Sequence, residues 1–305
     1  MQELGSYDAP RPSFLGIGAG KSGTTWIWEM LRRHPEVFLP DEKELHYFND
    51  QAWEFDPTPN PRATEPPEWY LAHFREAAPS QVCGEFSTSY IWNPTAAARI
   101  HAFDPSIKIV VTLRDPVERL FSFYLFAMQR GLVGVDRSFE QTLAERPCLI
   151  GRTAYGACLS RYFHLFPQDQ VHVIFHHDIR DQSERVLTHL ERFIGVGPYV
   201  PQGVEEEVNV TERPVNPHLT RRLRQLRFFA ARSPLEPLAR LAKRAGGKRA
   251  FDYLSRSKPF DERPHLDPDS AARLRERMRP DVERLEALLG VNLASWKGLC
   301  ESDAR

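Results

Sequence analysis

The feature that most constrains this chain is a run of small residues between an apolar segment and the start of a helix. It reads Phe14-Leu15-Gly16-Ile17-Gly18-Ala19-Gly20-Lys21-Ser22-Gly23-Thr24-Thr25-Trp26. Small residues let the backbone approach an anion, consecutive N–H groups and the helix dipole favour negative charge, and a lysine adds a full positive charge. A glycine-rich turn that only packs a strand against a helix is the simpler alternative. The coincidence of glycines, a lysine and two threonines after a strand favours a phosphate cradle.

The cradle differs from the nucleotide P-loop, whose pattern is G-x-x-x-x-G-K-[ST]. Gly20-Lys21-Ser22 supplies the end of that pattern, but its first glycine position is occupied by Leu15. A kinase or NTPase using ATP and magnesium would also need a Walker B aspartate after an apolar strand. Asp115 follows such a strand, but Arg114 intervenes. This enzyme class stays open as an alternative, as does a non-catalytic protein that binds a bisphosphate nucleotide.

Apolar runs alternate with helical patterns along most of the chain. The run 107–113 is nearly continuous and β-branched, which is typical of a parallel strand covered on both faces. We predict further strands at 13–17, 81–85 and 171–175, and helices at 23–33, 68–77, 94–103, 116–129, 138–146, 155–166, 183–194, 217–245 and 268–289. The proline-rich segment 55–67 is predicted to be a loop. This order predicts an α/β fold, a central parallel sheet flanked by helices, in a single domain over 1–305 with its core at about 13–290.

Composition narrows the function classes. The formal net charge is −1, so no global charge bias favours nucleic acid. We expect no membrane insertion, because no segment is apolar for long enough to span a bilayer and the N-terminus lacks a leader pattern. The four cysteines are far apart without metal-ligand spacing, so we expect no metal and a cytoplasmic location.

Three motifs in this order resemble the sulfotransferase family that uses 3′-phosphoadenosine 5′-phosphosulfate (PAPS). The branch that they resemble most contains the heparan sulfate sulfotransferases and their bacterial relatives. The motifs are Lys21-Ser22-Gly23-Thr24-Thr25, Arg114-Asp115-Pro116-Val117-Glu118-Arg119 with Ser122 behind it, and Glu44-Leu45-His46-Tyr47-Phe48. A weaker fourth match is Arg263-Pro264-His265. The resemblance implies the P-loop-like sulfotransferase fold.

The resemblance also implies roles for individual residues. The first motif, with Trp26 after it, would bind the 5′-phosphosulfate, and Lys21 would place its charge on the leaving phosphate. Arg114 and Ser122 would grip the 3′-phosphate, and Arg263 would belong to a loop that covers the donor. Glu44 would be the general base and His46 would orient it or touch the acceptor, which would be a carbohydrate or a small molecule with a hydroxyl or amine. Sulfuryl transfer does not require a divalent metal.

Other interpretations of these residues remain open. Glu44 could be one of several solvated charges, and Arg114-Asp115 could simply begin a helix with an aspartate cap. The His176-His177-Asp178 cluster ends a strand and is interpreted as structural. Two places depart from the family pattern: Phe86 stands where a lysine is frequent, and Asp261-Glu262 precede Arg263 where Lys-Gly is frequent.

Overall fold

The computed structural model describes residues 10–53, 56–134, 136–205, 213–214, 257–258 and 264–299 of the 305-residue chain. The chain divides into two compact units. The first comprises residues 1–119, 148–209 and 272–305, and the second comprises residues 120–147 and 210–271. The single domain over 1–305 stays a prediction. The predicted helix at 217–245 and the predicted site residue Arg263 lie outside the described residues.

A five-stranded, fully parallel sheet forms the centre of the first unit, in the order β2-β5-β1-β6-β7. Its strands are β1 Pro12–Gly18, β2 Val37–Phe38, β5 Val82–Phe86, β6 Lys108–Leu113 and β7 Val171–Phe175. Between β2 and β5, strands β3 Gln51–Trp53 and β4 Asp56–Pro59 form an antiparallel pair. In the second unit, the two-residue strands β8 Arg213–Pro214 and β9 Ser257–Lys258 pair antiparallel. The predicted parallel sheet is therefore confirmed.

Ten helices connect or follow these strands in the described residues. They are α1 Thr24–Arg32, α2 Pro67–Leu71, α3 Ala96–Phe103, α4 Pro116–Gln129, α5 Phe139–Glu145, α6 Cys148–Gly151, α7 Tyr155–Leu165, α8 His176–Asp181, α9 Ser183–Ile194 and α10 Pro268–Leu289. The short helices α6 and α8 were not predicted from the sequence. None of the helices in the described part of the chain is long and apolar enough to cross a membrane.

Side chains of alternate residues in the central strands are buried on opposite faces of the sheet. Leu15 and Ile109 belong to one apolar cluster, which also takes residues from α3, α7 and α10. Phe14, Val110 and Ile174 belong to the other cluster, which takes residues from α1 and α9. Because helices cover both faces, these strands read as continuous apolar runs rather than as alternating ones.

Two segments differ from the sequence-based expectation. The segment 55–67 is not loop throughout, since it contains β4 and a 3-10 turn at Pro61–Thr64. Prolines are tolerated in β4 because its single partner is β3, so not every backbone N–H must join a ladder. The helix predicted at 68–77 is shorter than expected, because α2 passes into a 3-10 turn at Ala72–Phe74.

The parallel sheet brings four chain segments to one edge. The carboxyl ends of parallel strands point the same way, so the residues after β1, β5, β6 and β7 meet there. They are the glycine-rich turn, Ser87-Thr88, Arg114 and His176. The strand β1 lies between β5 and β6, and this places the turn at the middle of the edge.

Candidate phosphate-binding and transfer site

The turn after β1 leaves the start of α1 open to an anion. Lys21 and Gly23 have positive φ angles of 70° and 93°, and α1 begins at Thr24. No described side chain caps this helix, and its first turn holds no acidic residue. The first N–H groups of a helix have no partner within the helix, so they need one from outside. An anion in front of Lys21 would supply it, because the lysine charge and the helix dipole both favour negative charge there.

A buried arginine holds the backbone of the turn from below. The Arg119 side chain is fully buried and donates a 3.0 Å hydrogen bond from Nε to the Gly20 carbonyl oxygen. Its Nη1 donates to the Thr153 hydroxyl at 2.6 Å. The Ala19 N–H also donates to the Thr112 carbonyl at 2.8 Å, which ties the turn to β6. The role of Arg119 was not predicted from the sequence, although the residue belongs to the Arg114–Arg119 motif.

Thr88, which follows β5, lies directly against the turn. A Cβ on Gly18 would stand 2.5 Å from the Thr88 carbonyl oxygen, and a Cβ on Gly20 would stand 3.4 Å from the Thr88 hydroxyl. The neighbouring Ser87 N–H donates to the Gly16 carbonyl at 3.0 Å. The absence of side chains at these glycines therefore lets the segment after β5 pack closely on the cradle.

The same threonine holds the carboxylate of Glu44. The Thr88 N–H donates to Oε2 at 2.8 Å, and the Thr88 hydroxyl lies 3.1 Å from Oε1. Lys43 Nζ donates to Oε1 at 3.1 Å. The Glu44 side chain keeps 28% of its surface exposed. Glu44 is therefore a fixed carboxylate beside the cradle that solvent or an acceptor can still reach.

The charges around Glu44 favour its ionised form. Burial would raise the pKa of the carboxyl, but Lys43, His46 and the Thr88 N–H outweigh burial and hold the pKa below its usual value. Burial also lowers the pKa of His46, although Glu44 opposes that shift. His46 Nε2 lies 3.7 Å from Glu44 Oε2, and its Nδ1 lies 2.8 Å from the Ser89 hydroxyl. At neutral pH the site pairs an ionised carboxylate with an uncharged imidazole.

Arg114 stands at the end of β6, at the same edge. Its Nε and Nη2 both donate to Glu118 Oε2 at 3.1 Å, and its charge acts on His176. Burial, followed by Arg114, lowers the pKa of His176 to about 4. Asp115 accepts the backbone N–H groups of Val117 and Glu118 at 2.8 and 3.0 Å. The expected helix-capping role of Asp115 is therefore present, and the Arg114 guanidinium beside it is paired with Glu118.

The other predicted site residues fall in different places. Ser22 and Thr24 are buried below the turn, and Thr25 and Lys21 are partly exposed. Trp26 is buried in the core, where its indole N–H donates to the Val204 carbonyl at 2.9 Å. Ser122 lies on α4, eight residues after Arg114, but it belongs to the second unit. The joint grip of Arg114 and Ser122 on one phosphate stays a prediction.

Phe86, the first of the two departures from the family pattern noted in the sequence, is part of the core. It is 1% exposed, its ring meets Phe14 edge to face at 6.3 Å, and it fills the space above Gly16. The described cation that contacts the Glu44 carboxylate is Lys43. Sequence reasoning missed Lys43 and Thr88. The signal for Thr88 was its position after a strand next to β1, since parallel neighbours end at one edge.

A nucleotide with a 5′-phosphosulfate and a 3′-phosphate carries two separate anionic groups. The uncapped start of α1 and Lys21 suit one anionic group, and the Arg114 guanidinium suits a second one at the next strand end. The hydroxyl of Ser22 is buried and has no hydrogen-bond partner in the described structure. The residues fit such a ligand. Within the described ranges, no group of three or more His, Cys, Asp or Glu side chains is arranged to hold a metal ion.

Comparisons with known proteins agree on one family. A sequence model described as the sulfotransferase domain matches residues 11–288. The membrane-associated sulfotransferase kil1 of Dictyostelium discoideum is 35% identical over 164 residues, which cover 52% of this chain and 32% of that protein. Heparan sulfate glucosamine 3-O-sulfotransferase 5 of Mus musculus is 26% identical over 206 residues, which cover 63% of this chain and 55% of that protein. This chain therefore spans about a third to about half of the length of these relatives.

One solved structure matches almost the whole chain. The sulfotransferase from Alicyclobacillus acidocaldarius has a TM-score of 0.66 and 24% sequence identity, and the match covers 94% of this chain and 99% of that one. At this identity the likeness shows the fold alone. The fold predicted from the motifs, with its P-loop-like cradle on a parallel sheet, is confirmed.

Proposed function

The chain belongs to the sulfotransferase family, and on that basis we propose that it moves the sulfuryl group of PAPS to a hydroxyl or amine of an acceptor, with Glu44 as general base. The observation that carries this proposal is the position of Thr88. It packs against Gly18 and Gly20 of the cradle and binds the Glu44 carboxylate. A proton acceptor and a phosphate cradle are therefore held by one residue, as a transfer reaction between them requires.

The donor supplies a sulfuryl group on a phosphate leaving group. Lys21 and the N–H groups at the start of α1 bind the 5′-phosphate side and stabilise the negative charge that grows there as the S–O bond breaks. Arg114 binds the 3′-phosphate through its two-pronged guanidinium. We propose that PAPS is the donor and adenosine 3′,5′-bisphosphate the product. In this proposal the positive charges of Lys21 and Arg114, and not a metal ion, neutralise the phosphate charge.

Glu44 takes the proton of the acceptor as the new bond to sulfur forms. Its lowered pKa keeps it ionised at neutral pH, and positioned base catalysis of this kind contributes ~10²–10⁴ in rate. The N–H and the hydroxyl of Thr88 hold the carboxylate in one orientation. The acceptor class we propose is a carbohydrate or a small molecule, which the chain would bind on the Glu44 side.

Calorimetric titration tests the donor. We expect adenosine 3′,5′-bisphosphate to bind tightly without magnesium, and Arg114→Ala to weaken that binding. Binding of ATP with magnesium but not of the bisphosphate would refute the sulfotransferase proposal and favour a kinase or NTPase. An unchanged bisphosphate affinity in Arg114→Ala would remove that arginine from the donor site.

Transfer of labelled sulfate tests the base. We expect Glu44→Gln to abolish transfer to a panel of glycans, phenols and alcohols while bisphosphate affinity stays near the wild-type value. Asp41→Asn is the matched control, because Asp41 lies on the same loop, is 88% exposed and pairs with Arg32 on the surface. Wild-type turnover in Glu44→Gln would exclude Glu44 as the base. An equal loss of turnover in Asp41→Asn would show that removing any carboxylate from this loop lowers turnover.

A further inference from the structure

A second glutamate, Glu85 on β5, lies behind the loop that carries Glu44. Its side chain is 2% exposed, and both of its oxygens accept hydrogen bonds from hydroxyl groups. Ser87 Oγ donates to Oε2 at 2.9 Å, and the Tyr90 hydroxyl donates to Oε1 at 2.7 Å. Burying a carboxyl group costs free energy unless hydrogen bonds replace those that it made with water. We therefore asked which neighbouring groups depend on the hydrogen bonds of Glu85.

The two hydroxyl groups in turn accept hydrogen bonds from the backbone of the loop. The His46 N–H donates to Ser87 Oγ at 2.9 Å, and the Phe48 N–H donates to the Tyr90 hydroxyl at 3.4 Å. A hydroxyl has one hydrogen to give. Because an ionised Glu85 can only accept, it takes that hydrogen from each hydroxyl and leaves the hydroxyl oxygens to accept from the loop.

The loop needs such support because its backbone is strained. Glu44 and His46 have φ angles of 67° and 55°, in the left-handed region that is unfavourable for a residue with a Cβ atom. Other groups hold the loop's carbonyl oxygens: Arg62 binds those of Glu44 and Leu45, and Asn60 binds that of His46. The N–H groups at His46 and Phe48 depend on the hydroxyls that Glu85 orients.

We propose that Glu85 is a positioning residue for the transfer reaction: its carboxylate orients the Ser87 and Tyr90 hydroxyls, and these hold the loop so that Glu44 faces the cradle. The inference rests on the proposed role of Glu44 as base. It assigns to Glu85 no contact with donor or acceptor. A misplacement of about 1 Å at a reacting group can cost ~10²-fold in rate, which sets the size of the effect.

The substitution Glu85→Gln separates this role from simple burial. A glutamine amide offers one oxygen acceptor and one N–H donor, so it can orient one hydroxyl correctly but must donate to the other. Glu191→Gln is the matched control. Glu191 is 1% exposed, lies on α9 against the opposite face of the sheet, and accepts the Tyr199 N–H at 3.2 Å.

We expect Glu85→Gln to lower kcat by ~10–100-fold while the Kd of adenosine 3′,5′-bisphosphate changes less than about twofold. Glu191→Gln should keep wild-type kcat. Ser87→Ala should also lower kcat, and the double variant Glu85→Gln with Ser87→Ala should fall little further than the worse single variant, because the two residues act in one chain of hydrogen bonds.

The pH profile gives a readout that a merely structural role would not change. Burial raises the pKa of Glu85 to about 7, and the groups that face it are Glu44, Lys43 and the hydroxyls of Tyr70 and Tyr90. Wild-type kcat should rise with pH through about 7 as Glu85 ionises, and this rise should be missing in Glu85→Gln.

Three results would overturn the proposal. They are wild-type kcat in Glu85→Gln, an equal loss of kcat in Glu191→Gln, or a loss of bisphosphate affinity that accounts for the loss of rate. A separate result, full turnover in Glu44→Gln, would refute the base assignment itself, so failure of the positioning role and failure of the proposed function are distinguishable.

Discussion

The buried carboxyl of Glu85 should make the stability of the first unit depend on pH in a way that one substitution removes. Burial raises the pKa of Glu85 from an ordinary 4.5 to about 7, against the opposing hydrogen bonds of Tyr90 and Ser87. The folded protein therefore binds a proton that the unfolded chain has already released between these two pH values. Wild-type stability falls as pH rises through this window, because ionising Glu85 costs more in the fold than in the unfolded chain.

The size of this effect follows from the two pKa values. At about 1.4 kcal/mol for each pH unit between about 4.5 and about 7, the ionisation of Glu85 lowers the free energy of unfolding by about 3 kcal/mol. Glu85→Gln has no proton to lose. Its own cost through misoriented hydroxyls is constant with pH, so the free energy of unfolding of the variant minus that of the wild type should increase by about 3 kcal/mol from pH 4.5 to pH 8.

Urea unfolding followed by tryptophan fluorescence measures this difference. All six tryptophans belong to the first unit, so the signal reports on the unit that contains Glu85. Groups shared by the two proteins, such as His172 and His176 with pKa values lowered to about 4, contribute to both curves and cancel in the difference. A difference that stays flat over this range, or that decreases with pH, would refute the assignment of a raised pKa to Glu85.

Three further substitutions test the packing and the buried donor of the cradle in the first unit, and a helix cap in the second unit. Gly16→Ala should lower the free energy of unfolding by ~1–3 kcal/mol, because a methyl group there overlaps the Phe86 ring. Adding Phe86→Leu should recover part of that loss. Equal stability of Gly16→Ala and wild type in urea would contradict this packing. Arg119→Met should weaken binding of adenosine 3′,5′-bisphosphate about tenfold or more in calorimetry, because the Gly20 carbonyl loses its buried donor. An unchanged Kd in a folded variant would show that the turn keeps its shape without Arg119. Ser138→Ala should lower the free energy of unfolding by about 1 kcal/mol, because the Ser138 side chain accepts the Gln141 N–H in a capping box at the start of α5. A thermal melt identical to that of the wild type would count against this cap.

Much of the architecture could be predicted from the sequence because the signals are local. The apolar run that became β6 and the glycine-rich turn after β1 each carry their own chemistry within a few residues. Pro116 after Asp115 likewise marks the start of α4, and the structure shows the aspartate cap there. The short helices α6 and α8 were not predicted, because four to six residues show too little hydrophobic periodicity to indicate a helix.

Only part of the candidate site could be predicted from the sequence. Lys21, Arg114 and Glu44 were singled out from motifs, but nothing local showed that Thr88 would bind the Glu44 carboxylate or that Arg119 would hold Gly20. In the sequence, Glu85 and Phe86 are adjacent residues of one strand. The pleat of β5 sends the Phe86 ring into the core around Phe14, while Glu85 binds the hydroxyls behind the Glu44 loop.

The sequence by itself therefore determined a glycine-rich cradle on a parallel α/β sheet and the family to which the chain belongs. Only the tertiary structure decided which side chains stand beside that cradle and in which protonation state. The reason is that strand order is set by non-local pairing: β5 and β6 both lie next to β1, although they are about 70 and 95 residues away along the chain. Burial and neighbouring charges, which shift the pKa values of Glu44 and Glu85 in opposite directions, exist only after that pairing has formed.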